Sequence, residues 1–322
     1  ANHHTNGNNP VNVSPTVLAP RWGYLFATLA AVLWGVSGSA AKYLFIHGVT
    51  PYQLVQLRLT IAAIGLLLYL LLRRPALLRI DWRDIPYFAV FGCIGMAGVQ
   101  FTYLFAISKI NVAAAILLQY LAPAFIALHA VLFFRDRLNP ITLMALAGAF
   151  TGCYLVVGAY DLNIVALNRW GIVSGLLSAV GFAWYSIQGE YGMRRYSPWT
   201  VIFYAMFFGA LTWNIFLGPL ESFMHARSAA LWGWILYIGV LGTLVPFGLF
   251  LESVNLIRAT RASITATLEP IMAGVLSYCF LQETMAAWQL AGAGLVVLSI
   301  VALQLNQEQD AKAPARLRAR GE

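Results

Sequence analysis

The amino-acid sequence predicts an all-α, polytopic membrane protein with about ten transmembrane helices in two inverted five-helix repeats. Three observations predict this fold class. The 322 residues are 60% hydrophobic and only 10% charged, whereas about a quarter of a soluble domain is charged. Apolar stretches of about 20 residues, long enough as helices to cross about 30 Å of hydrocarbon, recur along the chain. The second half of the chain also repeats residues of the first half at one offset.

The predicted spans follow one another with short connections. Only helices satisfy every backbone group within such a span, and no alternating pattern indicates barrel strands. Residues 1–20 are rich in Asn, His and Pro and predict a disordered tail, and residues 306–322 predict a basic tail. The ten spans are predicted at 22–46, 51–73, 85–108, 111–134, 139–158, 171–191, 198–218, 229–251, 259–282 and 286–305.

Basic residues predict the orientation of these spans. If both termini lie in the cytoplasm, the inside loops and tails carry 15 Lys and Arg and the outside loops carry 3. Because positive charge accumulates in cytoplasmic loops, we expect both termini to be cytoplasmic, in the inner membrane of a bacterium. The net charge of +8 is explained by these loops, so we expect no nucleic-acid partner.

An internal repeat divides the chain into residues 21–158 and 159–305. One offset of 147 aligns Tyr103, Ala115, Pro123, Phe133 and Asp136 with Phe250, Ala262, Pro270, Phe280 and Glu283. Each repeat holds five spans, an odd number, so the second repeat is inverted in the membrane. Inverted repeats are typical of secondary transporters with a substrate site near the midplane. We predict that the two halves rock around that site.

Several short motifs occur in the order and spacing of a known family. They are Trp34-Gly35, Lys42, Arg58, Gln119-Tyr-Leu-Ala-Pro123, Asp136-Arg137-Leu138, Trp184, Leu268-Glu269-Pro270 and Leu281-Gln282-Glu283. From about 22 to 305 the chain resembles the drug/metabolite transporter superfamily, specifically its ten-helix EamA-type carriers. The resemblance implies export or exchange of small organic metabolites, with amino acid exporters of the YddG type among similar proteins. It does not fix the substrate.

Four residues are predicted to serve in coupling or gating. Glu269 lies near the middle of a span, where an ionised carboxylate is costly unless it is paired, hydrated or protonated. Pro123 and Pro270 are repeat mates that free the carbonyls of Gln119 and Ala266. Arg58, about two turns into the second span, either pairs with a carbonyl or carboxylate or binds a substrate carboxylate.

Polar and aromatic side chains within the spans predict the substrate-binding cavity. Aromatic walls with a few amides suit a zwitterion that has an apolar side chain. Packing in the core is the alternative for each of these residues. The candidates are Trp34, Ser37, Gln100, Tyr103, Gln119, Tyr120, Trp184, Tyr185, Gln188 and Thr267.

Other residues within or beside the spans predict structural roles. Lys42 is close enough to the end of its helix for its amine to reach the interface. Glu190 and Glu252 are predicted to be solvated at helix ends. Gly148 and Gly152 form a small-residue step in the fifth span, for which packing within the same half is favoured over a dimer face.

The hypothesis is therefore a secondary transporter of small metabolites, first of amino acids, that works by alternating access in the plasma membrane. The alternatives are a carrier of purines, other amphipathic metabolites or drugs, a channel, or a membrane-embedded enzyme. Scattered His residues and the lack of a phosphate-binding loop weigh against an enzyme or pump. We expect no cofactor or metal, and a monomer or weak dimer in the lipid bilayer. Proton coupling, exchange and facilitated diffusion remain open.

Overall fold

The computed structural model describes residues 20–110, 112–134, 139–156, 158–160, 168–225, 227–273, 275, 286–305 and 313–320, and these contain helices and no strand. Predicted features at 1–19, Asp136-Arg137-Leu138, Phe280 and Leu281-Gln282-Glu283 lie outside them. The helices are α1 (Pro20–Ile46), α2 (Pro51–Arg73), α3 (85–109), α4 (112–134), α5 (Pro140–Val156), α6 (Arg169–Gly192), α7 (Pro198–Leu217), α8 (229–257), α9 (259–273), α10 (Ala287–Leu305) and α11 (Pro314–Arg320).

Helix length and composition fit a protein that crosses the membrane many times. Seven helical stretches are long and apolar enough to span a bilayer, and the last of them, Ala229–Ala273, contains both α8 and α9. The apolar helices α5 and α10 are shorter. With α8 and α9 counted separately, the described residues include a helix within each of the ten predicted spans, and the predicted fold class is confirmed.

Local sequence explains where several helices begin. Thr50 and Gln53 form a reciprocal capping box at the start of α2, and Pro51 occupies the first turn. The side chain of Asn168 accepts hydrogen bonds from two backbone N–H groups of α6. Ser197 and Ser228 cap α7 and α8 in the same way. These caps satisfy N–H groups that a helix cannot pair internally.

Irregular turns occupy equivalent positions in the two repeats. A π-helical segment, Phe91–Gly98, interrupts α3, and a second, Val240–Leu244, interrupts α8. The repeat offset superposes the second segment on residues 93–97 of the first. Helix α4 is broken at Tyr120 and Leu121, and a 3-10 turn, Ala266–Leu268, lies at the matching position of α9. The two repeats therefore share the positions of their irregular turns as well as their sequence anchors.

Helices α8 and α9 meet at Arg258, whose φ of 69° and ψ of 162° break the helix. A positive φ is unfavourable for a side chain with a Cβ. Glu190 on α6 stabilises this conformation by accepting two hydrogen bonds. Its Oε1 accepts a hydrogen bond from Arg258 Nε at 3.1 Å, and its Oε2 accepts one from the Ala259 N–H at 2.8 Å. The prediction that Glu190 is solvated is therefore wrong, because its carboxylate caps α9 from another helix.

The two repeats interdigitate. Helix α1 packs mainly on α8 and α9, whereas its mate α6 packs mainly on α3 and α4. We call these groups the α1 bundle (α1, α8 and α9) and the α6 bundle (α3, α4 and α6). The mates α2 and α7 pack on each other, as do α5 and α10. The two halves of the sequence are therefore not two separate bodies, and the rocking of the halves remains a prediction.

Helices α5 and α10 approach each other at two glycines. A Cβ on Gly152 would lie 2.7 Å from the carbonyl oxygen of Gly292, and a Cβ on Gly292 would lie 2.6 Å from the carbonyl oxygen of Gly152. Glycine is required here because the two backbones touch. The small-residue step at Gly152 thus joins the first repeat to the second, and the expected packing within one half is wrong.

Gly292→Ala is expected to destabilise the protein by about 1–3 kcal/mol, because the added methyl overpacks a backbone contact. Gly294→Ala is the matched control on the same helix, since a Cβ there meets nothing within 4 Å. Thermal unfolding of the detergent-solubilised variants measures the difference. Equal melting temperatures for the two variants would contradict the α5–α10 contact.

Candidate functional site

A central cavity lies between the α1 bundle and the α6 bundle. Its volume is about 40 Å³, room for a few water molecules at roughly 10–15 Å³ each. The cavity is lined by Trp34, Ser37, Gly38, Arg58, Val99, Gln100, Tyr103, Gln119, Tyr120, Phe182, Phe247, Ala266 and Glu269.

The breaks of α4 and α9 meet at this cavity. The Tyr120 hydroxyl lies 2.6 Å from the carbonyl oxygen of Ala266 and 2.8 Å from Oε2 of Glu269. The Tyr103 hydroxyl is 3.4 Å from Oε1 of Glu269. Pro270 has no N–H for the Ala266 carbonyl, and the hydroxyl of Tyr120 and a tight turn from the Glu269 N–H reach this oxygen instead. The discontinuity of one repeat is thus satisfied by a side chain from the other.

Arg58 supplies the cation of the cavity and is only 3% exposed. Its Nε donates to Thr243 Oγ1 at 2.7 Å, and its Nη2 donates to the Gly242 carbonyl at 2.9 Å. Both acceptors belong to the π-helical segment of α8, so this defect anchors the guanidinium. A guanidinium has five N–H donors, and these two bonds leave donors for a ligand.

An aromatic wall borders the polar groups. The Trp34 ring packs edge-on against Phe247 at 4.9 Å between centroids and against Phe182 at 6.1 Å. Trp34 and Phe247 come from the α1 bundle, whereas Phe182 comes from the α6 bundle. Gly35 brings α9 against α1, because a Cβ there would lie 3.1 Å from the Glu269 carbonyl oxygen. The Trp34-Gly35 pair thus provides one ring to the cavity and one close helix contact.

Polar contacts join the two bundles at both ends. Lys42 near the end of α1 donates to the carbonyls of Ile107 at 2.8 Å and Ile110 at 3.3 Å, at the end of α3. Glu190 near the end of α6 contacts Arg258 and Ala259 at the start of α9. Because α1 and α6 are inverted mates, these contacts lie at opposite ends of the cavity. In the described conformation the two bundles are therefore held together at both ends.

The EamA-like transporter family matches the chain at residues 21–158 and 169–304. The chain belongs to this family. It is therefore a membrane transporter, in agreement with the resemblance carried by its motifs.

Individual relatives of this EamA-family transporter match over nearly their whole length. An uncharacterized inner membrane transporter, YicL of Salmonella typhimurium, is 28% identical over 91% of this chain and 98% of its own. A probable terminal-alkyne amino-acid exporter of Streptantibioticus cattleyicolor is 26% identical over 90% of this chain and 98% of its own. One solved crystal structure has a TM-score of 0.70 at 20% identity, covering 88% of this chain and 96% of its own, and this likeness shows the shared fold.

The predicted site residues of this EamA-family member separate into two groups. Those that line the central cavity are Trp34, Ser37, Gln100, Tyr103, Gln119, Tyr120, Arg58 and Glu269. The others lie elsewhere. Trp184 packs on Gly95, Tyr185 stacks behind the aromatic wall on Phe91, and the Thr267 hydroxyl donates to the carbonyl of Ile264.

Two more of the predicted residues border other spaces. Gln188 lines a second cavity, of about 260 Å³, beside Glu190 and Arg258. Pro123 borders a space between α4 and α5. Pro270 follows Glu269 on α9 and is buried. The α6 candidates Trp184, Tyr185 and Gln188 therefore do not line the central cavity.

Some cavity residues could have been found from the repeat. The offset of 147 pairs Phe247 with Gln100 and Ala266 with Gln119, two positions that polarity alone singled out. Phe182 and Gly38 have no such signal, because apolar residues within a span do not reveal which face they occupy. Among the described residues no three His, Cys, Asp or Glu side chains could hold a metal ion.

Tyr185→Phe is expected to stabilise the protein by about 1 kcal/mol, because the buried Tyr185 hydroxyl has no hydrogen-bond partner among the described residues. Transport should be unchanged, since this ring lies behind the cavity wall. Thermal unfolding and transport assays of the variant check both statements. A lower melting temperature would show that the hydroxyl has a partner, such as a buried water molecule.

Proposed function

We propose that this protein is a secondary carrier that exports or exchanges amino acids, or zwitterions like them, by alternating access. One observation carries the proposal. Arg58 and Glu269 line one cavity from α2 and α9, and within the described part of the chain no ion pair joins them. Aromatic rings border the space between them. A zwitterion with an apolar side chain complements these three features.

Each group of the cavity has the chemistry to bind a different part of a zwitterionic substrate. The remaining N–H donors of Arg58 suit a carboxylate, which accepts charge-assisted hydrogen bonds in a fork. Glu269 suits an ammonium group when it is ionised. Trp34, Phe182 and Phe247 suit an apolar or aromatic side chain. The alkyne amino-acid exporter, similar over nearly its whole length, supports this class of substrate.

The packing supports a mechanism in which bundles, rather than sequence halves, separate. Opening one end of the cavity breaks the Lys42 contacts with α3, and opening the other breaks the contacts of Glu190 with Arg258 and Ala259. The pairs α2–α7 and α5–α10 stay packed and act as the frame. Substrate is thereby exposed to one side of the membrane at a time.

Glu269 also provides a site for a proton. A buried carboxylate without a cationic partner is costly in a bilayer, so it holds a proton when no substrate ammonium neutralises it. Proton and substrate then alternate at one group, and an inward proton gradient drives export. The aromatic wall also suits purines or amphipathic drugs, which would not need Arg58.

The basic residues support an inner-membrane location with both termini in the cytoplasm. Green fluorescent protein fused after Glu322 is therefore expected to fluoresce in a bacterial host, while a periplasmic alkaline phosphatase at the same position should be inactive. The opposite pattern of the two reporters would place the C-terminus outside.

Counterflow in proteoliposomes tests the substrate class. Liposomes loaded with an unlabelled apolar amino acid are expected to accumulate the labelled one, whereas liposomes loaded with purines or sugar phosphates are not. Arg58→Gln is expected to weaken the apparent affinity about tenfold to a hundredfold, the equivalent of a charge-assisted hydrogen bond of roughly 1.5–3 kcal/mol.

The matching decarboxylated amine is the control ligand for Arg58→Gln. It should inhibit the wild type and the variant equally, because it has no carboxylate for Arg58. An equal loss of affinity for the amine would assign Arg58 to anchoring α2 on α8 instead. Counterflow of purines without counterflow of amino acids would favour the alternative substrate class.

A further inference from the structure

The hydroxyl of Tyr120 touches two oxygen atoms that both act as acceptors. The Ala266 carbonyl oxygen lies at 2.6 Å, and Glu269 Oε2 lies at 2.8 Å. A phenol has one proton to donate. If Glu269 were ionised, only one of these two short contacts could be a linear hydrogen bond.

A protonated Glu269 accounts for both contacts. The acid then donates its O–H from Oε2 to the Tyr120 oxygen, and Tyr120 donates its own proton to the Ala266 carbonyl. Each oxygen pair has one hydrogen, and the cluster is neutral. Burial agrees with this assignment, because Glu269 is 5% exposed and has no ion-pair partner among the described residues.

We propose that Tyr120 is the positioning residue that converts the protonation state of Glu269 into a contact between the two repeats. With Glu269 protonated, the chain of hydrogen bonds from Glu269 through Tyr120 to Ala266 joins the break of α4 to the break of α9. When the proton leaves Glu269, the Tyr120 O–H turns to the carboxylate. The contact with the Ala266 carbonyl then loses its hydrogen, and the two oxygens repel each other at that distance.

The surroundings of Glu269 leave this role to Tyr120. Four titratable side chains of the described residues face it or its partners from separate helices: Arg58 on α2, Tyr103 on α3, Tyr120 on α4 and Cys153 on α5. Tyr103 contacts only Oε1, at 3.4 Å, and reaches no backbone group of α9. Arg58 is anchored on Gly242 and Thr243. Tyr120 alone among them contacts both the carboxyl and the broken helix.

This inference rests on the proposed transport function for its role in the cycle. Tyr120 belongs to the α6 bundle, and Ala266 belongs to the α1 bundle. Their contact therefore joins the bundles at the centre of the cavity, as the Lys42 and Glu190 contacts join them at its ends. A proton on Glu269 favours the closed, substrate-free carrier, and a substrate ammonium that displaces the proton releases the bundles.

Two variants separate the effect of the proton on Glu269 from the effect of the contact between Tyr120 and Ala266. In Glu269→Gln the amide can donate to the Tyr120 oxygen, so the contact with Ala266 persists at every pH. In Tyr120→Phe the contact is absent at every pH, while Glu269 keeps its own proton site. Tyr185→Phe is the matched control, because it removes the same atom from a ring behind the cavity wall.

The first measurement is transport as a function of pH. Wild type and Tyr185→Phe are expected to accumulate labelled amino acid in response to a pH gradient, and their counterflow should vary with pH. Tyr120→Phe should lose at least nine tenths of the gradient-driven accumulation when this is expressed relative to the variant's own counterflow at its best pH. Full gradient-driven accumulation by Tyr120→Phe would overturn the proposal.

The second measurement needs no transport. Infrared spectra of the wild type in liposomes are expected to show a protonated-carboxyl band that disappears in Glu269→Gln, shifts in Tyr120→Phe and is unchanged in Tyr185→Phe. A wild type without this band, or a band that Tyr120→Phe leaves in place, would overturn the proposal. Absence of counterflow with the band and its shift present would instead count against the amino-acid function and leave the Tyr120 contact standing.

Discussion

The rest of the structure depends on hydrogen bonds to the backbone groups that broken helices leave unpaired within the membrane. Lipid offers no hydrogen bonds, so a backbone group freed within a span must find its partner inside the protein. Here the breaks of α4 and α9 face each other, and Tyr120 of one repeat reaches the Ala266 carbonyl of the other. The π-helical segment of α8 is satisfied in the same manner by Arg58. The polar groups that line the cavity are therefore also the groups that hold its irregular backbone.

Interdigitation of the repeats determines what can move. Because α1 packs on helices of the second repeat and α6 on helices of the first, each moving bundle contains elements of both. The glycine contact between α5 and α10 leaves these two helices little freedom to separate, since their backbones touch at Gly152 and Gly292. In the proposed mechanism, motion is thereby directed to the surfaces between the α1 and α6 bundles, where the bonds of Lys42, Tyr120 and Glu190 lie.

Sequence reasoning reached the fold and part of the site, for identifiable physical reasons. The length of each hydrophobic stretch predicts a span, and Pro123 and Pro270 predict where two of these spans are broken. The position of Glu269 near the middle of its span follows from the same two signals. Gln100 and Tyr120 were predicted from their polarity, and both line the cavity. Polarity could not predict which face of α6 lines the cavity, because Phe182 does so whereas Tyr185 and Gln188 do not. Rotation about a helix axis depends on packing against partners that are remote in sequence. The role of Glu190 was missed for the same reason, because its partner is the start of α9.

Arg58 and Glu269 line the same buried cavity, yet no ion pair joins them within the described residues. Two opposite charges in one buried cavity would ordinarily neutralise each other, and pairing is the less costly arrangement at this depth. Here each is held by other groups: Arg58 by the π-helical segment of α8, and Glu269 by Tyr103 and Tyr120. A carrier with a preformed ion pair would have to break it for every substrate bound. In the proposed carrier, a cation fixed on one helix and an acid that exchanges its proton on another leave both charges to the substrate, so that the substrate itself completes the neutralisation.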